Sequence, residues 1–323
     1  MDCFDFFTCY NPYLLEDWVK INEDLWGVKS ERVRYSFSES NSSYIEGVLY
    51  LNKRGRVVLP PGNAFLPFRF VCSGKQHPSV MYSHWTLNSK LLAEDISRRG
   101  YTGSIVFPPG FVDGRAFEWL GIQTKVKYTF IGELPYNYSL LDASVKKNIK
   151  KAQSRGYYIK ETNQLIEVYD CLRNTAKEKK FDLYFDEKDM AFYFSGLQKY
   201  MKIHAAYTSE GHMAASQIKL VMPNGMCIDW LAGSYREFKS DGVNQLLYSE
   251  SLKDLAQSGG RLFDFCGANI ENVANAKSKW GFHFVPYLVV PEKNGPLYLR
   301  KHIKKFIPST LLYKIKKNYR YRY

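Results

Sequence analysis

The segment Met226–Phe282 decides how this chain folds: it reads MCIDWLAG at 226–233, KSDGVN at 239–244, LFDFCG at 262–267 and ANAKSKWGF at 274–282. The first and third of these short segments are apolar and end in glycine, so they predict β-strands. The second is a glycine turn that opens a helix at about Asn244–Ser258. Because a helix that begins after such a turn directs free N–H groups at an anion, this order predicts a phosphate site at the start of that helix.

Upstream of this segment the sequence predicts two helices, Leu165–Lys180 and Glu187–Met201, because each repeats apolar residues at helical spacing. Strands joined by short turns follow at Ile203–Thr208, His212–Met222 and Met226–Gly233, and a final strand lies at Phe284–Val290. Two helices, an antiparallel meander and then alternating helices and strands make the element order of an N-acetyltransferase (GNAT-type) domain.

The first half of the chain carries a weaker version of the same order. We expect two strands within 44–59, a helix near Leu87–Arg99, and strands at Gly103–Phe107 and Thr124–Leu134. The predicted fold class is therefore mixed α+β, with two GNAT-like domains that each contain a mostly antiparallel sheet flanked by helices. The predicted limits are 1–142 for the first domain, 143–292 for the second and 293–323 for a basic helical tail.

Composition narrows the class of protein. The chain has 323 residues, of which 45% are hydrophobic, so it is long enough for about two domains with packed cores. No apolar run approaches the roughly 18 residues that cross a bilayer, and the acidic N-terminus is unlike a secretory signal, so we expect a cytoplasmic protein. Six scattered Cys without a Cys-x-x-Cys pair, and six His without metal spacing, predict no metal site.

The net charge of +13 is unevenly distributed. Residues 296–323 carry nine Lys or Arg and no acid, and residues 146–155 carry five more. Such clusters predict an anionic partner, and three classes stay open: a nucleotide-linked substrate, RNA such as tRNA, or an anionic membrane face. In 296–323 apolar and basic residues interleave at helical spacing, which predicts peripheral contact with the inner face of the membrane.

Five segments in one order carry a family resemblance: DGRAFEWLGI at 113–122, SVKKNIKKAQSRG at 144–156, GVNQLL at 242–247, DFCG at 264–267 and AKSKWG at 276–281. Together they resemble the FemAB-like superfamily, which is built from two GNAT-like domains and includes aminoacyl transferases that build peptidoglycan cross-bridges. The resemblance covers about 45–290 and implies acyl transfer from acyl-CoA or aminoacyl-tRNA. The long helical hairpin of some cross-bridge enzymes has no room in this chain, which disfavours dependence on tRNA.

Two groups of residues are candidates for holding the donor. Lys239, Gly242 and Asn244 partly match the (R/Q)-x-x-G-x-(G/A) pattern with which single-domain acetyltransferases hold the coenzyme A pyrophosphate. The alternative for this group is an ordinary turn with a helix cap. The second group lies on one face of the predicted basic helix, where it can clamp phosphates, and comprises Lys147, Lys151 and Arg155.

Three residues are candidates for the chemistry. Lys277 stands where the acetyltransferase pattern A-x-x-Y-x-x-x-G-F has a Tyr that protonates the leaving group; the FemAB-like family is similar in having Lys there, and an ammonium suits a developing oxyanion. Asp229 and Asp264 lie among apolar strand residues, which raises a carboxyl pKa and favours a general base near neutral pH. The alternatives are a solvated lysine and two paired structural carboxylates.

The predicted function is that of an N-acyltransferase that acts by direct attack on an amine of a cell-envelope or polysaccharide precursor. The acceptor would be an amino sugar carried on a nucleotide or lipid phosphate. A covalent intermediate is not expected, because the sequence has no serine elbow and no Cys–His motif. The alternative is a non-catalytic module that binds RNA or an anionic membrane through the same basic surface.

Overall fold

The computed structural model describes residues 11–38, 43–72 and 77–292. The chain forms two compact units: unit 1 takes the chain up to Val126 and again from Tyr287, and unit 2 is Lys127–Pro286. The boundaries of these units differ from those of the predicted domains. The predicted domain limits at 142/143 and 292/293 stay predictions. The predicted basic tail, 293–323, lies outside the described residues.

Unit 1 combines helices with a small antiparallel sheet. Its helices are α1 (Glu16–Trp26), α2 (Pro78–Arg99) and α3 (Arg115–Glu118), and its strands are β1 (Lys29–Tyr35), β2 (Tyr44–Leu51), β3 (Val57–Val58), β4 (Phe68–Val71) and β5 (Ile105–Val106). Strand β2 is central, because it pairs antiparallel with β1 on one side and with β3 and β4 on the other. Helix α2 packs on this sheet, and Trp85 contributes to an aromatic core with Phe70 and Phe111.

Among the described residues, unit 2 contains the larger sheet and five α-helices. The strands are β6 (Lys125–Glu133), β7 (Tyr158–Glu161), β8 (Met201–Tyr207), β9 (Met213–Val221), β10 (Met226–Ser234), β11 (Leu262–Asp264) and β12 (His283–Val290). The helices are α4 (Ala143–Ser154), α5 (Leu165–Lys179), α6 (Glu187–Leu197), α7 (Val243–Gln257) and α8 (Glu271–Ser278). The strand order is β12-β6-β11-β10-β9-β8-β7, and the end of β12 belongs to unit 1, where it pairs with β5.

The sheet of unit 2 opens between two neighbouring strands. Strands β10 and β11 run parallel, and they pair only over 226–228 and 262–264. Strand β10 continues to Ser234 on β9, with a bulge between Asp229 and Leu231. Beyond Ile228, no strand of the described residues pairs with β10 on its β11 side. The sheet therefore leaves backbone groups of β10 available inside the fold, which is where an extended ligand can bind.

The predicted class, mixed α+β with mostly antiparallel sheets flanked by helices, is confirmed. The predicted strand at 262–267 is shorter, because Cys266 has a left-handed backbone (φ +55°) that takes the chain out of the strand. The predicted helix at Leu87–Arg99 begins earlier, at Pro78, where proline is favourable in a first turn. Every helix in the described ranges is too short or too polar to cross a bilayer.

Candidate functional site

Asp229 lies on β10 just where the pairing with β11 ends. Its side chain is only 4% exposed, and both of its oxygens are occupied. Oδ1 accepts a hydrogen bond from Lys219 Nζ at 2.7 Å, and Oδ2 accepts one from the hydroxyl of Tyr248 at 2.5 Å. These contacts are those of the alternative stated for Asp229, a buried and paired carboxylate.

The sequence interpretation missed two residues of this site, Tyr248 and Lys219, and Lys219 is the more deeply buried of the two. Its side chain is 0% exposed, and Nζ donates to Gln217 Oε1 at 2.6 Å as well as to Asp229. Burial lowers the pKa of Lys219, and the Asp229 carboxylate opposes that shift. A signal was present: the predicted strands end at Met222 and resume at Met226, and the three-residue loop between them places residue 219 opposite residue 229, as the observed register does.

Asp264 ends β11 and is 1% exposed. Its Oδ1 accepts hydrogen bonds from Thr129 Oγ1 at 2.5 Å and from the amide of Cys266 at 2.8 Å. Burial raises the pKa of Asp264; these hydrogen bonds and the charge of Lys277 oppose the shift, and the charge of Asp229 adds to it. A carboxyl group with a raised pKa suits proton transfer near neutral pH.

Lys277 reaches from α8 to the turn that follows β11. Nζ donates to the carbonyl oxygen of Phe265 at 2.5 Å and to that of Gly267 at 2.7 Å. The side chain is partly buried, and the ammonium also lies 5.6 Å from the centre of the Phe265 ring. An ammonium has three N–H donors, so one remains for a ligand. Lys277 is therefore held in place, in contrast to its neighbour Lys279, which is exposed.

Gly242 opens α7 with a left-handed backbone (φ +83°), as the glycine-turn prediction requires. A Cβ atom at this position would lie 2.2 Å from the carbonyl oxygen of Asn148 on α4. The glycine therefore allows close packing of α7 on the basic helix. No side chain caps the first turn of α7 with a hydrogen bond.

The basic residues predicted to hold the donor gather around this helix start, and most have protein partners. Lys151 donates to the carbonyl oxygen of Ser240 at 2.7 Å, and Arg155 pairs with Asp241. Lys239 pairs with Glu178 on α5, and the Asn244 amide donates to Ser234 Oγ at 3.3 Å. Lys147 is exposed, and no hydrogen bond joins it to the described residues.

The structure thus brings the predicted residues together in two clusters within unit 2. The chemical cluster, where β10 and β11 separate, comprises Asp229, Asp264, Lys277, Lys219 and Tyr248. The donor cluster, around the start of α7, comprises Lys147, Lys151, Arg155, Lys239, Gly242 and Asn244. Strand β10 joins them, because it runs from Asp229 to Ser234. Their roles in binding and catalysis stay predictions.

Residues 142–273 match the acetyltransferase (GNAT) domain family. The fold is similar to that of FemX, with a TM-score of 0.60 and 12% identity over 91% of this chain and 96% of that one. It is also similar to L-PGS from Bacillus licheniformis, with a TM-score of 0.52 and 15% identity over 88% of this chain and 90% of that one. No curated protein matches the chain by sequence. The matched segment therefore identifies a GNAT acetyltransferase domain within this chain, and the chain as a whole shares the fold of FemX and L-PGS.

Proposed function

We propose that this protein transfers an acyl or aminoacyl group from an adenosine-bearing carrier to an amine of an anionic cell-envelope or polysaccharide precursor. The observation that carries the proposal is the chemical cluster, which puts two buried carboxylates and a fixed ammonium where β10 and β11 separate. Acyl transfer to an amine needs a proton acceptor for the amine and a positive group at the carbonyl. Both are within this cluster.

The reaction would proceed by direct attack of the amine on the acyl carbonyl carbon. The free N–H donor of Lys277 would bind the carbonyl oxygen as it becomes negative, and would then assist departure of the carrier. The proton released by the amine would pass to a carboxylate of the cluster. Asp229 and Asp264 are the two candidates for this acceptor, and burial raises the pKa of Asp264.

The separation of the two clusters favours one donor over the other. From Asp229 to Ser234, which bonds to Asn244 at the start of α7, bulged strand β10 spans only four residues of its partner β9, so the clusters are about 13 Å apart along the strand. Coenzyme A carries its acyl thioester on a long arm attached to a pyrophosphate, whereas an aminoacyl-tRNA carries its acyl ester on the ribose itself. If the donor phosphates bind at the start of α7, the long arm of coenzyme A fits this distance.

The acceptor is assigned from charge. Net charge is +13, and α4 presents exposed cations at Lys146, Lys147 and Lys150. Such a surface raises the local concentration of an anionic substrate. An amino sugar on a nucleotide or lipid phosphate supplies both the amine and the anion. A cytoplasmic location, and membrane contact through residues 296–323, stay predictions.

The test is thermal unfolding of the full chain with acetyl-coenzyme A, an aminoacyl-tRNA mixture or a nucleotide-linked amino sugar, followed by a transfer assay with each donor. We expect acetyl-coenzyme A to raise the unfolding temperature, since a ligand that binds only the folded state stabilises it. Acetyl-pantetheine, which has the arm without the nucleotide, is the matched control and should shift it less.

Stabilisation by aminoacyl-tRNA alone would keep acyl transfer and overturn the preference for coenzyme A. The non-catalytic alternative predicts a third result. In that case RNA or anionic vesicles bind with a steep dependence on salt concentration, and neither donor supports transfer to any amine. The exposed cations of α4 are the observation in favour of this alternative.

A further inference from the structure

A fully buried ammonium lies in the centre of the sheet of unit 2. Lys219 belongs to β9, its side chain is 0% exposed, and its neighbours include the rings of Tyr248 at 4.5 Å and Phe263 at 5.3 Å. Removing an ammonium from water is strongly unfavourable unless it is paired and hydrogen-bonded. An apolar residue at this position would avoid that cost, so the lysine calls for a functional explanation.

The contacts of Asp229 show what Lys219 does. One carboxylate oxygen accepts from Lys219 and the other accepts from Tyr248. Lys219 is in turn fixed by Gln217, which also accepts a hydrogen bond from Ser251 Oγ at 3.4 Å. Asp229 is therefore held between two donors, and neither of its carboxylate oxygens is without a hydrogen bond.

Tyr248 lies between Asp229 and the turn that binds Lys277. It belongs to α7, the residue as a whole is partly exposed although its hydroxyl group is buried, and its ring packs edge-on against Phe265 at 5.2 Å and Trp280 at 5.7 Å. Phe265 begins the turn whose carbonyl oxygens bind Lys277. The Tyr248 proton is directed at Asp229, and no group of the described residues donates a hydrogen bond to the phenol oxygen. That oxygen can therefore accept a proton from a ligand.

We propose that Tyr248 relays the proton of the attacking amine to Asp229, and that Lys219 is the positioning residue for this relay. The inference rests on the proposed acyl transfer. As the amine nitrogen forms its bond to the acyl carbon, one N–H proton passes to the Tyr248 oxygen, and the Tyr248 proton passes to Asp229 Oδ2. The carrier leaves with its electron pair. Tyr248 is a neutral phenol before and after the step, and Asp229 ends as the neutral acid.

A concerted transfer agrees with the electrostatics of the phenol. Burial and the Asp229 carboxylate raise the pKa of Tyr248 well above its usual value, so the phenol does not ionise by itself. It can accept a proton only as it gives one to Asp229. Lys219 holds Oδ1 of Asp229, and this contact fixes the carboxylate with Oδ2 directed at the Tyr248 hydroxyl.

The test compares Tyr248→Phe with Tyr138→Phe in single-turnover transfer from acetyl-coenzyme A, or from aminoacyl-tRNA, to the nucleotide-linked amino sugar. Both variants lose a tyrosine hydroxyl beside α7, but the Tyr138 hydroxyl donates to the Ser249 carbonyl and takes no part in the relay. We expect Tyr248→Phe to lower the transfer rate about 100-fold or more, with donor binding unchanged, and Tyr138→Phe to transfer at nearly the wild-type rate. Transfer by Tyr248→Phe at the wild-type rate would overturn the relay and leave the proposed function intact.

If the wild-type protein transfers from neither donor, the proposed function is wrong and the relay falls with it. The role of Lys219 has a readout without substrate, the NMR signal of the Tyr248 ring carbon that bears the hydroxyl. We expect the double variant Lys219→Met/Asp229→Asn, which leaves no unpaired buried charge, to fold and to shift this signal. An unchanged signal in a folded double variant would show that the pair does not act on Tyr248.

Discussion

At the scale of single residues, the chemical cluster contains titratable groups whose charged forms are disfavoured by burial. Asp264 is 1% exposed and Lys219 is fully buried, yet both are titratable. Their hydrogen bonds to Thr129, Cys266 and Asp229 offset part of that cost. Such groups commonly lie at functional sites, where stability is lower than an apolar replacement would give.

Asp264→Asn should make the stability of the protein less dependent on pH. The folded-state pKa of Asp264 lies above its ordinary value, because burial disfavours the anion. Between the ordinary and the raised value the folded protein holds a proton that the unfolded chain has lost, so rising pH favours unfolding. As pH rises from about 4 through the raised value, the wild type should lose stability that Asp264→Asn does not lose. We therefore expect the unfolding temperature of Asp264→Asn to rise relative to that of the wild type over this range. A difference that stays constant with pH would contradict this assignment.

Lys277→Met should abolish most transfer without preventing donor binding. Loss of a hydrogen-bond donor at a developing oxyanion lowers kcat about 100- to 1,000-fold. Lys279→Met is the matched control, because Lys279 is exposed and, among the described residues, its side chain donates one hydrogen bond, to Ser144 Oγ at 3.1 Å. The measurement is initial-rate kinetics of both variants, and full activity of Lys277→Met would remove this residue from the mechanism.

At the scale of secondary-structure elements, the contact of α4 with α7 decides the shape of the donor cluster. Arg155, the residue that follows α4, pairs with Asp241, and the Tyr157 hydroxyl donates to the same carboxylate at 2.8 Å. Burial raises the pKa of Asp241, but these hydrogen bonds outweigh it and hold that pKa below its usual value. A phosphate that binds here must therefore replace carboxylate partners of the basic residues, or bind through the exposed Lys147.

Gly242→Ala should separate α7 from α4. Alanine at φ +83° costs about 1–2 kcal/mol for the left-handed backbone. Its Cβ would also lie 2.2 Å from the Asn148 carbonyl oxygen, which we expect to add about 1–3 kcal/mol. Gly211→Ala is the control, because Gly211 has a similar φ of +86° and no atom within 4 Å of a Cβ. Chemical denaturation should show the larger loss for Gly242→Ala, and equal losses would mean that the close approach is relaxed at little cost.

At the scale of the whole molecule, the segment that matches the GNAT family is shorter than the compact unit that contains it. Residues 142–273 lack β6, which pairs antiparallel with β11. They also lack aromatic members of the unit 2 core, namely Phe130, Tyr136, Trp280 and Phe282. Unit 2, Lys127–Pro286, contains all of these.

A fragment of residues 127–286 should therefore unfold cooperatively, whereas a fragment of residues 142–273 should not. In the shorter fragment β11 becomes an unprotected edge strand and the core loses its aromatic contacts, which disfavours folding and favours aggregation. Circular dichroism during heating measures the difference. Cooperative unfolding of 142–273 at a similar temperature would show that the matched segment is a folding unit by itself.

The sequence was sufficient for features that depend on local pattern. The meander β8–β9–β10, helix α5 and the glycine turn before α7 follow from alternation, helical spacing and turn residues, because each of these signals lies within a few residues of the structure it specifies. The length of the loop between β9 and β10 also predicts that residue 219 pairs with residue 229. The choice of Asp229 and Asp264 as candidates used the same local signals, whereas the choice of Lys277 rested on the resemblance to family patterns.

Only the tertiary structure decided what those side chains contact. No local pattern shows that Lys219 is fully buried, that Lys277 binds the carbonyl oxygens of a turn, or that Gly242 packs against Asn148. These facts depend on strands and helices that are distant in sequence and become neighbours when the sheet forms. A side chain's burial and charge partners, and therefore its proton affinity, are set by that assembly, whereas its secondary structure is set largely by its neighbours in the chain.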